Sequence, residues 1–328
     1  MSESISVNHV LSTRATGSRI FDSIIHRFIR LAPDGFDVSL TVRPDKVASL
    51  HHHHRPHMER RLRAKSVVTV HHDIREACFW LRPKSFFARY REAEAVICLN
   101  RTQRELLAER GIHHTTVIPH GVDRAVLPVP LKPRTRREGP VRLGLFSQRY
   151  PRGVKGEALL HRLMAKLSPE LFAFTFVGQG RWQDAALARE RGFDAVCHET
   201  LPYRLFGRLY DSIDILLILS NFEGGPACLP EALGYGVPVI CRPVGMCPDY
   251  MVDGVHGYMI DGDADAFAER LTEIARPGSR ELDDLFASVW ARAGEIPSWE
   301  EIIGRHFRLY RDICAPAGGP SLIGQPAE

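Results

Sequence analysis

The 328-residue sequence lacks the features that would place it in a membrane or outside the cell. No apolar run approaches the roughly 18 residues that a membrane-spanning helix needs. The N-terminus, M-S-E-S-I-S, lacks the basic start and apolar centre of a secretory signal. The seven cysteines are odd in number and include no C-x-x-C motif, which argues against a disulfide scaffold. We therefore expect a cytoplasmic protein.

Two signals of nucleotide or nucleic-acid binding are also missing. The loop after the first predicted strand reads S-T-R-A-T-G-S, with one glycine and no G-x-G-x-x-G, so a dinucleotide-binding fingerprint is absent. No recognisable nucleic-acid-binding module is present either. We therefore do not expect nucleic acid as a partner.

Charge is distributed unevenly along the chain. Residues 1–139 contain 24 lysines and arginines against 14 acidic residues, whereas the remainder contains 19 against 25. Twelve of the 16 histidines also fall in this first part. A basic surface favours an acidic partner, but the same charges can simply be solvated, and the sequence leaves both interpretations open.

Predicted strands and helices alternate through most of the chain, which indicates an α/β protein with doubly wound parallel sheets. We expect a first Rossmann-like domain over residues 1–124, a proline- and arginine-rich linker over 125–140, and a second Rossmann-like domain over 141–297. A helix over 298–314 can cross back to the first domain, and residues 315–328 are expected to be disordered.

The apolar runs give the positions of the strands. Those of the first domain are predicted at residues 5–11, 36–42, 47–50, 67–70, 94–99 and 116–119. Those of the second are predicted at residues 141–146, 172–177, 193–197, 215–219, 237–241 and 258–260.

The stretch S-N-F-E-G-G-P-A-C-L-P-E, residues 220–231, carries the strongest functional signal. It follows the strand predicted at 215–219 and joins a glycine loop beginning at Glu223 to a helix predicted to begin at Pro226. Glycines let the backbone approach a ligand, and the unpaired amides of a helix start attract an anion. Glu231 lies about 7.5 Å beyond Pro226 at about 1.5 Å per residue. Two carboxylates thus bracket a predicted phosphate site, which suggests a sugar nucleotide.

Two cations follow the strand predicted at 141–146. In S-Q-R-Y-P-R-G-V-K-G, Arg149 and Lys155 come at the carboxyl end of this strand, and Lys155 is one of only two lysines after residue 140. If the carboxyl edges of the two predicted sheets face each other, both cations can reach a pyrophosphate at the Glu223 loop.

Histidines follow two strands of the first domain. The strand predicted at 47–50 ends in four consecutive histidines, residues 51–54, and the strand predicted at 67–70 ends in His71 and His72. Side chains at the carboxyl ends of parallel strands face the crevice where ligands bind. Consecutive strand residues point to opposite faces, and no cysteine or carboxylate spacing matches a zinc site, so no metal is expected.

Residues 79–91, F-W-L-R-P-K-S-F-F-A-R-Y-R, interleave aromatic and basic side chains. Such a segment can rest on an anionic membrane, which would make the protein peripheral at the inner face of the membrane. The alternative is that the aromatic residues belong to the core and the arginines are solvated. Pro83 favours this alternative because it interrupts a long amphipathic helix.

Together, these motifs resemble the retaining, nucleotide-sugar-dependent glycosyltransferases of family 4 (group 1), which have the GT-B fold. The resemblance runs from about residue 47 to residue 260. Its most specific part is S-x-x-E-G-x-P-x-x-L-P-E-A-L-x-x-G-V-P-V-I, which carries an E-x7-E pair as Glu223 and Glu231. Further matches are R-x5-K-G from Arg149, V-G-x-G from Val177, I-P-H-G-V-D from Ile118 and D-G-x-x-G from Asp253.

The GT-B resemblance implies two Rossmann-like doubly wound domains that face each other across a cleft. It implies that Glu223 contacts the donor sugar and that Glu231 contacts the nucleotide ribose. It also implies that Arg149 and Lys155 hold the diphosphate. The other implied donor contacts are Gly178, Gly224, Gly225, Pro226 and Ala227.

A histidine close to the transferred sugar is also part of the family pattern. The sequence T-V-H places it at His71, with His72 as the alternative if the register differs by one. The H-x-H of the preceding strand end would correspond to His51 and His53. The predicted catalytic set is His71, Glu223, Arg149 and Lys155.

The implied reaction moves a hexose-type sugar from a UDP-, GDP- or other nucleoside-diphosphate sugar to an acceptor hydroxyl, with retention of configuration. Cations and amides stabilise the charge that builds on the leaving phosphate, so neither a metal nor a cofactor is expected. The acceptor is expected to be a glycan, a lipid-linked or a small molecule, and the basic first half favours an acidic one. The base, the sugar and the linkage are not fixed by the sequence.

Three positions depart from the family pattern. His120 stands where asparagine is usual, Met246 where glycine is usual, and Asp249 where glutamate is common. His120 and Met246 keep open a second function, a module that binds a nucleotide sugar without turnover. A nucleic-acid-modifying glycosyltransferase is a further alternative, which the basic first half favours and the lack of a nucleic-acid module disfavours.

Overall fold

The computed structural model describes residues 4–11, 20–76 and 83–315. Within these ranges the chain forms two compact units. The first unit contains the residues up to His120 together with those from Trp299 onward, and the second contains residues 121–298. The chain therefore leaves the first unit after residue 120 and returns to it at residue 299.

Each unit is built around a parallel sheet of six strands. The first sheet contains β1 (Ile5–Val10), β2 (Phe36–Thr41), β3 (Leu50–His53), β4 (Ser66–Val70), β5 (Ala95–Cys98) and β6 (Thr115–Val117), in the order β2-β1-β3-β4-β5-β6. The second contains β7 (Val141–Phe146), β8 (Phe172–Val177), β9 (Ala195–His198), β10 (Ile215–Ile218), β11 (Val239–Cys241) and β12 (Gly257–Met259), in the order β12-β11-β10-β7-β8-β9. These sheets confirm the predicted α/β class.

The helices follow the strands in chain order. They are α1 (Ile20–Arg30), α2 (Pro83–Glu92), α3 (Arg101–Ala108), α4 (Glu157–Met164), α5 (Trp182–Glu190), α6 (Phe206–Asp211), α7 (Cys228–Gly234), α8 (Cys247–Tyr250), α9 (Ala264–Ala275), α10 (Glu281–Arg292) and α11 (Trp299–Cys314). Capping residues explain two of the boundaries, because Asn100 accepts from an amide in the first turn of α3 and Asp263 from two in α9.

Helices cover both faces of the first sheet. One face packs against α1 and α11, with Phe28 and Tyr310 in its apolar cluster. The other packs against α2 and α3, with Tyr90 and Leu107 in a second cluster. Burial on both sides explains why β4 and β5 read as nearly continuous apolar runs. In the second unit β8, F-A-F-T-F-V, is buried along its whole length for the same reason.

The third strand differs from its prediction by three residues. Residues 47–50 were expected to form the strand, but β3 begins at Leu50 and includes the first three histidines, while Val47 is 85% exposed. The pairing with β1, in which Val7 lies opposite Leu50 and Val10 opposite His53, fixes this register. The ends of the other strands lie within two residues of their predicted positions.

Residues 125–140 carry no helix or strand, and they lie along the second unit. Arg134 donates to the carbonyl oxygens of Tyr210 and Asp211, and the Trp290 indole donates to the carbonyl oxygen of Pro130. Leu127 is fully buried. The segment predicted as a linker is therefore held on the second unit by hydrogen bonds from Arg134 and by the buried side chain of Leu127.

The basic and aromatic segment at residues 79–91 is only partly described. Helix α2 begins at Pro83, and Phe86 and Tyr90 are buried in the core, so these two rings are not available to a membrane surface. Residues 79–82 lie outside the described ranges, as do the predicted loop at residues 12–18 and the predicted tail beyond residue 315. None of the helices in the described ranges is both long and apolar enough to cross a bilayer.

Candidate functional site

Two charged residues from neighbouring loops of the second unit meet directly. The Lys155 Nζ atom donates to Glu223 Oε1 over 2.6 Å, and Ser220 Oγ donates to the same oxygen over 2.8 Å. Burial alone would lower the pKa of Lys155, but the charge and hydrogen bond of Glu223 outweigh it, and the pKa lies above its usual value. A charged lysine is thus fixed on the carboxylate at neutral pH.

A glycine brings Lys155 to this position. Gly156 has a φ of +80°, and a Cβ atom there would lie 2.0 Å from the carbonyl oxygen of Leu219, just beyond β10. The loop after β7 therefore runs against the loop after β10, and Asn221 N donates to Val154 O over 2.9 Å. Only glycine combines this left-handed backbone with so close an approach.

A second glycine, in the loop that follows β11, packs against the loop that carries Glu223. Gly245 has a φ of +56°, and a Cβ atom there would lie 2.9 Å from the Glu223 Cβ and 3.0 Å from the Pro226 Cδ. The next residue, Met246, is fully buried. The residue that departs from the family pattern at this position is therefore an interior one.

Helix α7 begins at Cys228, two residues later than predicted. The amide of Leu229 donates to the carbonyl oxygen of Pro226, so the chain makes a turn before regular helical bonding starts. Pro230 sits at the third helical position, where its missing amide costs no intrahelical bond. Gly224 and Pro226 are buried, so the loop that carries Glu223 is packed on the unit.

The carboxylate of Glu231 is held by two tyrosines. Tyr203 OH donates to Oε1 and Tyr210 OH donates to Oε2, each over 2.9 Å. Burial, together with the Glu231 charge, raises the pKa of Tyr210 well above its usual value, so this hydroxyl stays protonated and donates. The group is therefore oriented in advance by two fixed hydroxyl donors.

Arg149 belongs to a buried network that the sequence analysis did not find. Asp184 Oδ1 accepts from Arg149 Nη1 over 2.6 Å and from His161 Nε2 over 2.8 Å, and Oδ2 accepts from Arg181 Nη1 over 2.7 Å. Arg181, which is fully buried, also donates to the carbonyl oxygen and the hydroxyl of Ser147. The arginine predicted to hold a diphosphate is thus tied to the first turn of α5.

Gly178, directly after β8, lies close to Ser147, directly after β7. Its φ is +132°, and a Cβ atom there would lie 2.7 Å from the carbonyl carbon of Ser147. The Arg149 amide donates to the carbonyl oxygen of Gln179 over 2.9 Å. The ends of β7 and β8 are therefore packed together, which gives the V-G-x-G motif a structural role besides any contact with a ligand.

An open pocket of about 390 Å³ adjoins this network within the second unit. A volume between about 300 and 1,000 Å³ is typical of small-molecule sites. The lining residues are Arg149, Tyr150, Pro151, Gly153, Glu157, Gly180 and Gln183.

In the first unit, His71 lies at the end of β4 and bonds to a histidine from the neighbouring strand. His71 Nε2 and His54 Nδ1 are 3.0 Å apart. The alternation of β3 places His52 and His54 on the same face as His71, whereas His51 and His53 point to the opposite face. The H-x-H predicted at His51 and His53 therefore lies on the face opposite His71.

His72 lies away from His71 and packs on the other side of the sheet. Its ring is 4.2 Å from that of Phe86, which belongs to the second apolar cluster. Burial, with the nearby His57, lowers the pKa of His72 to about 4. His72 thus contacts the core on the face of the sheet opposite His71.

A small cavity of about 10 Å³ lies beside His71 and has room for about one water molecule. His120 lines it, fully buried, with its ring 5.5 Å from that of Trp299. Burial, with the charges of His306 and Arg27, lowers the pKa of His120 to about 4. The histidine that replaces the usual asparagine is thus a neutral core residue.

Among the described residues, one group of side chains has the spacing to hold a metal ion. One nitrogen from each of His9, His52 and His54 lies within 4.8 Å of the others. Both nitrogens of His52 are already bonded to hydroxyls, to Tyr310 over 2.6 Å and to Thr69 over 2.7 Å. Both nitrogens of His54 are bonded to other histidines. An ion would therefore have to displace existing hydrogen bonds.

The sequence of residues 142–276 matches a family model described as glycosyl transferases group 1. These residues form a glycosyl transferase group 1 domain. The transferase domain contains the Lys155–Glu223 ion pair, the Glu231 site and the Arg149 network. A comparison with the sequences of curated proteins gives no match to the chain.

Solved structures resemble nearly the whole chain, beyond the transferase domain. Sucrose-phosphate synthase from Thermosynechococcus elongatus has a TM-score of 0.73 and 17% identity, covering 94% of this chain and 98% of that one. Anabaena HepE in complex with UDP-glucose has a TM-score of 0.71 and 14% identity, covering 93% and 99%. A glycosyltransferase from Rickettsia africae has a TM-score of 0.68 and 13% identity, covering 94% and 98%. At such identities the likeness establishes the fold, which is GT-B, as predicted.

Replacing Gly156 with alanine should strongly destabilise the second unit, because the new Cβ would collide with the Leu219 carbonyl. Gly139 is the matched control, since it has a φ of +91° but nothing within 4 Å of its Cβ position. Gly139→Ala should cost only the backbone strain, about 1–2 kcal/mol. We expect Gly156→Ala to cost at least about 2 kcal/mol more in urea unfolding. Equal costs would contradict the close approach.

Removing the Asp184 charge should destabilise the transferase domain, because two arginines would lose their shared partner. Breaking a buried ion pair costs about 3–5 kcal/mol. Asp265→Asn is the control, because its pair with Lys166 is exposed and such pairs are worth about 0–1 kcal/mol. Urea unfolding of Asp184→Asn and Asp265→Asn measures both costs. A loss below about 1 kcal/mol for Asp184→Asn would show that the network contributes little.

Acid should destabilise the first unit before most carboxylates titrate. Burial lowers the pKa of His9 to about 3 and that of His306 to about 4, from 6.5 in the unfolded chain. Between these values the unfolded state binds more protons, so stability is complete above pH 6.5 and falls as the pH drops toward 4. Each such histidine contributes up to about 1.4 kcal/mol per pH unit.

Urea unfolding at pH 7.5, 6.5, 5.5 and 5.0 measures this slope. His306→Gln removes one of the titrating groups, so its stability should depend less steeply on pH between 6.5 and 5 than that of the natural protein. Stability that does not change over this range would refute the assignment of neutral buried histidines.

Proposed function

We propose that the protein is a glycosyltransferase that moves a sugar from a nucleoside-diphosphate sugar to an acceptor hydroxyl. The observation that carries this proposal is the charge arrangement at one sheet edge of the transferase domain. Lys155 and Glu223 form an ion pair between the loops that follow β7 and β10, and Glu231, in the first turn of α7, is oriented by two tyrosines. A cation for phosphate, a carboxylate for sugar hydroxyls and a carboxylate for a ribose diol are the groups such a donor requires.

The leaving group of this reaction is a nucleoside diphosphate, so negative charge grows on its oxygens as the bond to the anomeric carbon breaks. Arg149 and Lys155 are the cations placed to offset that charge. Both are held in advance by carboxylates, Arg149 by Asp184 and Lys155 by Glu223, so little reorganisation is needed when the donor arrives. We propose that this charge compensation takes the place of a metal ion.

The first donor to test is a UDP-sugar. The structures of Anabaena HepE contain UDP and glucose in one case and UDP-glucose in another. A Staphylococcus aureus TarM variant was solved with fondaparinux, α-GlcNAc-glycerol and UDP. We propose a hexose donor, transfer with retention, and an acceptor that is a glycan, a lipid-linked or a small molecule. The excess of cations in residues 1–139 supports an acidic acceptor.

We propose that the protein works in the cytoplasm. All six cysteines in the described part of the chain are free thiols, which fits a reducing compartment.

Donor binding is measured first, by thermal unfolding with UDP-, GDP-, ADP- and dTDP-sugars. A donor present at 100 times its Kd should stabilise the protein by about 2.7 kcal/mol. Release of nucleoside diphosphate then measures turnover, in buffer with and without EDTA. Equal rates support metal independence, and loss of release in EDTA overturns it. Proton NMR of the product identifies the anomer and so tests retention.

Glu223→Gln should lower the release rate by about 10²- to 10³-fold, because it removes the charge that holds Lys155 and the predicted sugar contact. Glu170→Gln is the control, because Glu170 is exposed in the same unit. A binding module without turnover would be stabilised by a donor and release nothing with any acceptor. If no nucleotide sugar changes the melting temperature, the donor proposal fails.

A further inference from the structure

Three histidines of the first unit form a row at the carboxyl edge of its sheet. His9 Nδ1 lies 2.9 Å from His54 Nε2, and His54 Nδ1 lies 3.0 Å from His71 Nε2. The ring centroids of neighbouring members are 5.2 and 5.3 Å apart. We call this row the imidazole chain. His9 and His54 are buried, whereas His71 is half-buried.

The strand register builds the imidazole chain from three separate strands. His9 lies on β1, His54 directly follows β3, and His71 directly follows β4. The His54 amide donates to the carbonyl oxygen of Val10, which fixes the backbone of His54 just beyond the end of β1. The imidazole chain therefore runs across neighbouring strands to His71, the residue predicted to lie close to the transferred sugar.

Neighbouring side chains leave the central histidine few other orientations. The His52 ring stacks on that of His54 at 4.5 Å and is itself fixed by Thr69 and Tyr310. His9 packs on Phe28 at 4.5 Å. His54 is thus confined between aromatic rings, and its two nitrogens are aligned with those of His9 and His71.

The histidines of the imidazole chain are neutral at physiological pH. Burial lowers the pKa of His9 to about 3 and, together with the charges of neighbouring histidines, lowers the pKa values of His54 and His71 well below the usual value. A neutral imidazole donates through one nitrogen and accepts through the other. A row of such rings therefore has a single direction of donation.

The buried end of the row decides that direction. His9 Nε2 is buried and has no hydrogen-bond partner among the described residues. Buried N–H groups without an acceptor are rarer than buried acceptors without a donor, so we assign the lone pair to this nitrogen. His9 Nδ1–H then donates to His54, and His54 Nδ1–H donates to Nε2 of His71. The remaining proton of His71 is therefore on Nδ1.

We propose that His54, backed by His9, is a positioning residue that occupies Nε2 of His71 and leaves its Nδ1–H as a donor to a substrate oxygen. His71 then acts by hydrogen bonding and not as a base, because its accepting nitrogen is already used. The identity of that oxygen, in a sugar or a phosphate, rests on the proposed glycosyltransferase function. The assignment of the His71 tautomer does not rest on that function.

The tautomer is measured by long-range proton–nitrogen NMR of ¹⁵N-histidine protein, with the signals of His71 assigned from the spectrum of His71→Gln. In the natural protein, His71 should be protonated on Nδ1. In His54→Phe, which keeps an aromatic ring but removes both hydrogen bonds, the His71 signals should change to a mixture of tautomers. A natural His71 protonated on Nε2, or a spectrum unchanged by His54→Phe, would overturn the proposal.

The kinetic test compares neighbouring histidines of one segment. We expect His54→Phe to lower kcat by about 10- to 100-fold through misorientation of His71. His53→Phe replaces a buried histidine whose ring lies on the opposite face, near Ser66, so its kcat should fall less than about threefold. Equal losses in the two variants would mean that the effect is only structural. His54→Gln, which retains an amide donor, should recover part of the activity.

Failure of the proposed function and failure of this proposal remain distinguishable. If the natural protein turns over no nucleotide sugar, the glycosyltransferase proposal fails, whereas the NMR tautomer still tests the imidazole chain. If the His54 variants do not fold, the protonation site of His71 in the natural protein decides the question.

Discussion

The chemistry of the second unit depends on a steric constraint, the contact between the backbone at Gly156 and the carbonyl oxygen of Leu219. The carboxyl ends of parallel strands lie at one edge of the sheet, but this alone does not bring together the loops that follow them. The absence of a side chain at Gly156 lets the loop after β7 lie on the loop after β10. Lys155 then has Glu223 as its partner, and the two charges share a largely buried position where their attraction is strong. Gly245 packs against the other side of the loop that carries Glu223.

The polar groups around this contact are satisfied by partners that also fix their orientation. Glu231 is bonded at both oxygens by tyrosines, and Asp184 accepts from two arginines and a histidine. Burying a charge costs several kcal/mol unless such partners compensate it, so these networks specify geometry more than they add stability. In the first unit, the polar side chains of the imidazole chain are neutral instead of charged. Its hydrogen bonds pass from ring to ring and need no counter-ion.

Much of the fold could be predicted from the sequence, because burial on both faces of a parallel sheet leaves continuous apolar runs such as those of β8 and β10. The positions of Glu223, Glu231, Arg149 and Lys155 at the sheet edge followed from the same strands. The position of β3 could not be predicted, since histidines gave no apolar signal and pairing with β1 set the register. Asp184 and Arg181 were missed for another reason. They act through contacts with Arg149 and Ser147, more than 30 residues away, which no local pattern records.

The first unit is completed by the last helix of the chain. Trp299, Ile302, Phe307 and Tyr310 of α11 lie in the same cluster as strand residues from the beginning of the sequence. During synthesis, the first 120 residues therefore leave the ribosome with an apolar face that α1 covers only in part. The second unit has all of its own elements before that face is closed. Incomplete chains should be prone to aggregate, and the buried histidines become fully enclosed only when the final helix docks.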